Sequence, residues 1–282
     1  MRIEASVIML AACGRVGFEP GVIDANADAV TYGPWSPATP IGELNTPMDE
    51  SDPDLRGDAL EIVFHSKRTG GQGLYDLYRA TRAATSDLFS PAVPITSVNT
   101  AADEIGPSLS ADGRTLYFSD GADIVFATRP DLATPFGAAQ LLAALSSADV
   151  DTAPEVSGDG RIAVITRGIT DARELWLYTR ASDGAPNAGW SGGVQLGELG
   201  SAAAESSADL DASGLSIYFH SNRLGTTDDI YVAGRASTDV PFEAPQIVDV
   251  ISTAGDEGDP SRSADQRILV FHRMLDLFAA TR

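Results

Sequence analysis

Three histidines share one chemical setting. His65, His220 and His272 are the only ones in the chain, and each directly follows a phenylalanine (Phe64, Phe219, Phe271). Three imidazoles brought to one point could ligate a transition metal, which needs about 2.0–2.1 Å to each nitrogen. Beside carboxylates they could instead move protons. Acids recur just as regularly: Glu50, Glu104, Asp151, Glu205 and Glu257, with Asp49, Asp103 and Asp256 adding a second carboxylate in three places. Carboxylates gathered about 10 Å apart repel by roughly 1.7 kcal/mol per pair at an effective dielectric of ~20, so they need partners. The sequence offers Arg68, Arg167, Arg223 and Arg273, main-chain N–H groups, or a hard divalent cation such as Ca²⁺. Other chemistry is poorly represented. The sole cysteine, Cys13, excludes an internal disulfide. No Gly-x-Ser-x-Gly elbow stands out, and there is no phosphate loop or HExxH zinc motif.

The elements that must position these groups are repeats. Pro53, Pro107, Pro154, Ala208 and Pro260 anchor five copies, spaced by 54, 47, 54 and 52 residues. The acid stands three before each anchor, and a large apolar residue eleven after it: Phe64, Phe118, Ile165, Phe219, Phe271. An acid-led strand follows (Asp76, Asp123, Glu174, Asp229, Asp276), with an arginine six residues on: Arg82, Arg129, Arg180, Arg235, Arg282. A further strand pairs an aromatic with an aliphatic six residues later: Trp35/Ile41, Phe89/Ile95, Phe136/Leu142, Trp190/Leu196, Phe242/Val248. Asp-Gly turns such as Asp112-Gly113 and Asp159-Gly160 mark hairpins between short β-rich runs. Repeats of this length with four strands each predict an all-β, five-bladed β-propeller of four-stranded antiparallel blades over 32–282. The last copy has no fourth strand after it, so Trp35–Leu44 is expected to close the ring. The acids and the loop after the phenylalanine then fall on one face, near the channel. The candidate binding set is Glu50, Glu104, Asp151, Glu205, Glu257, His65, His220, His272, Arg68 and Arg223.

At the level of motif, Phe64-His65-Ser66-Lys67-Arg68-Thr69-Gly70-Gly71-Gln72-Gly73-Leu74-Tyr75-Asp76-Leu77-Tyr78 resembles the WD-like propeller repeat of TolB-type periplasmic proteins. Phe219-His220-Ser221-Asn222-Arg223 with Asp229-Ile230-Tyr231 matches it again, while the other three copies lack the full loop. The resemblance covers about residues 32–282. It implies a propeller of the bacterial envelope, often one that contacts other proteins.

Composition limits the partners. With 40 Asp+Glu against 19 Lys+Arg, the net charge is −21. A surface this negative repels phosphate backbones and argues against nucleic acid. Leu10-Ala11-Ala12-Cys13-Gly14, after a short apolar run, resembles a bacterial lipobox. The expected organisation is a signal segment over 1–13 with Cys13 lipidated, an acidic tether over 14–31, and the propeller. The function expected is that of a monomeric, membrane-tethered, non-enzymatic binding or scaffolding protein. It would use an acidic channel-mouth face for a protein, a basic peptide or a divalent cation, with Ca²⁺ the candidate ion and no cofactor required. The alternative is a carbohydrate-active propeller enzyme with axial carboxylates, a glycosidase or lyase.

Overall fold

The computed structural model describes residues 32–282 apart from residues 183 and 226, so the lipobox and the tether lie outside the described residues. Each repeat forms one four-stranded antiparallel sheet, and the five sheets make a five-bladed propeller. Strand β1 (Thr39–Pro40) comes first in the chain. Blade 1 is β2 (Glu50–Leu55), β3 (Glu61–Ser66), β4 (Asp76–Thr81) and β5 (Val93–Pro94). Blade 2 is β6 (Glu104–Leu109), β7 (Thr115–Asp120), β8 (Ile124–Thr128) and β9 (Gln140–Leu141). Blade 3 is β10 (Asp151–Val156), β11 (Ile162–Arg167), β12 (Glu174–Thr179) and β13 (Val194–Gln195). Blade 4 is β14 (Glu205–Leu210), β15 (Ser216–Ser221), β16 (Asp229–Gly234) and β17 (Gln246–Ile247). Blade 5 is β18 (Glu257–Arg262), β19 (Ile268–Arg273) and β20 (Asp276–Thr281), completed by β1 in the order β1-β20-β19-β18.

The repeated residues explain the fold. The large apolar residue eleven after each anchor is fully buried in every copy. The hydrophobic cores lie between neighbouring blades, one at each of the five junctions. The arginine of each acid-led strand stacks on the aromatic of the outer strand: Arg82 on Phe89, Arg129 on Phe136, Arg180 on Trp190 and Arg235 on Phe242. Its Nε also donates to a carbonyl of the hairpin turn between the first two strands, as Arg129 does to Gly113 O and Arg235 to Gly214 O. In blade 5 the partners come from opposite ends of the chain: Arg282 lies 4.1 Å from the Trp35 ring centroid and donates to Gln266 O. The N-terminal segment thus supplies the missing outer strand, which removes an open sheet edge.

The inner strands β2, β6, β10, β14 and β18 line the axis, each packed on the next, with β18 against β2. All five carry a bulge, seen in blade 1 as a register shift between Ser51 and Asp54. The bulged residue has a positive φ in every blade: Asp52 (47°), Gly106 (58°), Ala153 (45°), Ser207 (47°) and Asp259 (53°). An anchor proline fits here because the inner strand is a sheet edge that needs no donor on its axial side.

Closure also depends on a side-chain clamp. Asn45 Nδ2 donates to Leu277 O (3.1 Å) and Leu277 N donates to Asn45 Oδ1 (2.8 Å), replacing ladder bonds that the two-residue β1 does not reach. Asn45→Ala leaves Leu277 N without its acceptor, while Leu277 O keeps the donor Ile41 N (2.8 Å). It is expected to cost about 1–3 kcal/mol, read as a lower urea midpoint at unchanged m-value. An unaltered midpoint would show that the closing strand does not depend on the clamp.

Candidate functional site: the acid-lined axis

The five repeat acids do not line the axis. Glu50, Glu104, Asp151, Glu205 and Glu257 are fully buried, and none lines the cavities at the channel's mouth, waist or far end. Each sits at the start of an inner strand and ties down the loop before it. Thr46 N and Oγ1 donate to Glu50, and Thr100, Ser201 and Thr253 repeat this at Glu104, Glu205 and Glu257. Ser147 N donates to Asp151. Four of them also pair with an arginine of their own blade: Arg68 with Glu50 (3.1 Å), Arg167 with Asp151 (2.7 Å), Arg223 with Glu205 (3.0 Å) and Arg273 with Glu257 (2.7 Å). Blade 2 has no such arginine. There burial, with the charges of Asp76 and Asp120, holds the Glu104 carboxyl above its ordinary range.

The axial wall is built by the two positions that flank the anchor. The bulged position carries Asp52, Gly106, Ala153, Ser207 and Asp259; the position after the anchor carries Asp54, Ser108, Glu155, Asp209 and Ser261. All of these but Asp209 surround the waist, a space of about 30 Å³, in two layers, and Asp209 lines the cavity at the far end. The five acids among them depart from the repeat, appearing in some blades and not in others. Their signal in the sequence was variation in residue type at a constant register.

The upper layer gathers the histidines. His65 Nδ1 lies 3.0 Å from Asp52 Oδ2, and His272 Nδ1 lies 2.6 Å from Asp259 Oδ2. Both pair by charge and distance rather than through an aligned N–H···O bond. Asp259 N donates to His220 Nδ1 (3.2 Å), which also lies 3.3 Å from Asp259 Oδ1. The two aspartates are joined in turn: Asp52 N donates to Asp259 Oδ2, and Gly106 N donates to Asp52 Oδ2. Gly258 makes this packing possible, because a Cβ there would come within 2.6 Å of His272 Cε1 and 2.9 Å of His220 Nδ1. The histidines of blades 1, 4 and 5 therefore do meet, around carboxylates. Among the described residues no three His, Cys, Asp or Glu side chains are arranged to share a metal ion.

Burial opposes charge throughout this layer. On His272 it is outweighed by the charge of Asp259, 2.6 Å away, and by the charge of Asp52, so the imidazole is held up to about 9. Burial would also raise Asp259, but His272 and His220 bring it well below the carboxylate range. Asp52 is raised by burial and by the Asp259 charge, against the pull of His65.

The lower layer is poorer in cations. Asp54 accepts hydrogen bonds from Leu109 N (2.7 Å) and Ser261 Oγ (3.0 Å), yet burial and the Asp209 charge lift it to about 7. Glu155 accepts from Ser108 Oγ (3.0 Å), and burial with the charges of Asp54 and Asp209 carries it well above its ordinary value. Asp209 is raised by burial although the buried Arg262 guanidinium is bound to it.

The channel opens on the face that carries the loops between second and third strands. A mouth of about 210 Å³ lies there, bordered by Asp52, Thr152, Arg173, Ser207, Asp228 and Asp259 among others. The loops of the same face expose large apolar tips: Leu74 in blade 1, Ile169 in blade 3, Leu224 in blade 4, Met274 and Leu275 in blade 5, with Met48 before blade 1. All six are 42–72% exposed. An acidic funnel is thus rimmed by apolar side chains.

No family model matches the chain, and no curated protein does. Solved structures match it as folds. One is the α-L-arabinofuranosidase PaAbf62A from Podospora anserina (TM-score 0.60, 11% identity, 88% of this chain and 97% of that one). Another is the catalytic domain of the GH62 arabinofuranosidase of Coprinopsis cinerea (0.61, 13%, 88% and 96%). TolB from Acinetobacter baumannii also matches (0.51, 17%, 85% and 56%), as does a putative TolB from Agrobacterium tumefaciens (0.51, 18%, 84% and 76%). At these identities the likeness is one of architecture: the chain is a five-bladed β-propeller, a fold that carries unrelated activities.

The raised carboxyls set a pH dependence. A carboxyl whose folded pKa lies above its unfolded value stabilises the fold below the unfolded pKa and loses that contribution as pH rises through the folded one. For Asp54 the window runs from 3.8 to about 7, and His272 extends the decline toward about 9. The melting temperature is therefore expected to fall between pH 5 and pH 8. Glu155→Gln, which cannot ionise, should melt above the parent protein at pH 8 and converge on it near pH 4. A difference independent of pH would show that Glu155 is not a titrating strain on the channel.

Proposed function

We propose that the protein is a non-enzymatic binding propeller of the bacterial envelope, taking a basic, extended polypeptide segment at the channel mouth. The observation that carries this reading is the acidic funnel within an apolar rim, on a chain of net charge −21. Complementary charge would steer and orient a basic segment, and the rim would cover its apolar residues. Support against catalysis comes from the occupied state of the axial carboxyls. Asp259 is held by two histidines, Asp52 by His65 and the Gly106 N–H, Asp54 by Leu109 N–H, and Asp209 by Arg262.

A peptide alternating arginine and leucine is expected to bind the full chain, weakening as the screening length falls from about 10 Å at 0.1 M salt to 3 Å at 1 M. Ca²⁺, drawn to the same carboxylates, should compete with it. Leu224→Ser, at a side chain 72% exposed, should weaken the peptide without altering the fold. Binding indifferent to salt and to Leu224→Ser would remove the mouth from consideration.

One observation favours a second reading as a glycoside hydrolase, the activity named for two of the structurally similar proteins. Burial and the charges of Asp54 and Asp209 raise the Glu155 carboxyl well above its ordinary value, and glycoside hydrolysis needs one protonated and one ionised carboxyl. Turnover of any polysaccharide that disappears in Glu155→Gln would establish that reading in place of the first.

The envelope location rests on the lipobox-like Leu10-Ala11-Ala12-Cys13 and on the fold likeness to TolB proteins. Expressed in a bacterium, the parent chain is expected in the membrane fraction, and Cys13→Ser in the soluble one. Equal partitioning would rule out a lipid anchor at Cys13.

A further inference from the structure

The mouth is not uniformly acidic. Arg173, directly after the 3-10 turn Thr170–Ala172, borders the same cavity as Asp228, which comes from the loop between β15 and β16 of the next blade. Arg173 Nε donates to Thr170 O (3.1 Å), and among the described residues no carboxylate lies within 4.0 Å of its guanidinium. Asp228 is fixed through its main chain: its N–H donates to Asp256 Oδ1 (3.1 Å) and its carbonyl accepts from Glu257 N. Its Oδ1 is buried and has no hydrogen-bond partner. A buried acceptor without a donor is unfavourable, so the Asp228 carboxylate is short of donors within the fold. One cavity thus presents an unpaired guanidinium and an unsatisfied carboxylate, too far apart to neutralise each other.

We propose that the mouth binds a small zwitterion of the α-amino acid class, its carboxylate on Arg173 and its ammonium on Asp228. Guanidinium engages a carboxylate through two parallel N–H donors, and an ammonium beside the Asp228 carboxylate brings the donor and positive charge that no cation of the described residues supplies within 4.0 Å. A ligand with one charge leaves the other group unpaired, and a neutral sugar compensates neither. Size agrees. The cavity of about 210 Å³ is below the ~300–1,000 Å³ of sites for drug-sized ligands, and equals about seven water volumes at ~30 Å³ each. That suits a single amino acid and not an oligosaccharide. Thr152 and Ser207, on the same wall, add hydroxyls that either donate or accept.

The inference rests on the reading of the mouth as the binding site, and calorimetry on the full chain separates the two. Glycine, L-serine and L-arginine are titrated beside ethanolamine, lactate and glucose, which carry the cation alone, the anion alone and no charge. The amino acids should bind at least about tenfold tighter than any of these, a difference of about 1.4 kcal/mol. Arg173→Gln should bring L-serine down to the affinity of ethanolamine, and Asp228→Asn to that of lactate, both with unchanged far-UV circular dichroism and melting temperature. Equal affinity for singly charged analogues, or variants that bind like the parent, would overturn the proposal. If no amino acid binds at millimolar concentration while the arginine–leucine peptide does, the zwitterion proposal alone falls. If neither binds, the mouth reading falls with it.

Discussion

The constraint on which the site depends is a backbone one. Each inner strand inserts one extra residue at its bulge and holds it at positive φ, a conformation that costs an ordinary residue about 1–2 kcal/mol. Only blade 2 uses a glycine there; Asp52, Ala153, Ser207 and Asp259 bear the strain. Proline or alanine follows at once and is packed inside the ring. Five such bulges turn the residues on both sides of the anchor toward the axis, so the channel is walled by these ten residues together with the anchors. Without the bulge these strands would run straight past the axis with their polar residues in the blade interfaces.

Two populations of acid follow from this. Those at the strand starts are bound by loop N–H groups, by a Thr or Ser hydroxyl in four blades, and by an arginine in four blades. They recur because every blade needs its entry loop fixed. Those at the axis have few cationic partners: His272 above and Arg262 below, with His65 and His220 set beside the same upper carboxylates. Their mutual repulsion is relieved in different ways along the channel. In the upper layer His272 takes up the charge and Asp259 remains ionised, whereas in the lower layer Asp54 and Glu155 are driven toward the protonated form. The same excess of carboxyls is therefore met by ionisation at Asp259 and by upward shifts at Asp54 and Glu155.

The architecture was legible from residue types at constant spacing, because the packing that repeats is the packing that holds a blade. Phe64 and its equivalents fill the interfaces, and Arg82 and its equivalents stack on the outer-strand aromatic. The closing strand was readable for the same reason: Arg282 lacked an aromatic downstream, and Trp35 stood unclaimed upstream. The channel wall was not legible, because side-chain parity is lost at the bulge. Strict alternation would put Asp54 on the sheet face of Glu50. The observed register pairs Glu50 with Ser66 but Asp54 with Val63, an odd offset that moves Asp54 to the opposite face. Attention to the most regular acids therefore led to Glu50 and its counterparts, which are buried, and away from Asp52 and Asp54. The histidines were correctly grouped by blade, yet their partners lie on the bulged residues that alternation misplaces.

Regularity and function thus separate in this ring. A position that recurs in all five blades answers a need that all five share, and its chemistry is spent inside the protein. A position whose geometry recurs while its residue changes is free to be specified. The bulge supplies five equivalent axial sites, and the chain fills them with two aspartates, a glycine, an alanine and a serine. The small residues Ala153 and Ser207 of blades 3 and 4 line the mouth together with Arg173 and Asp228, while Asp52 and Asp259 of blades 1 and 5 stand beside the histidines. The asymmetry of the mouth is therefore a consequence of which blades carry side chains at one strained backbone position, and binding specificity is expected to follow that asymmetry rather than the five-fold pattern around it.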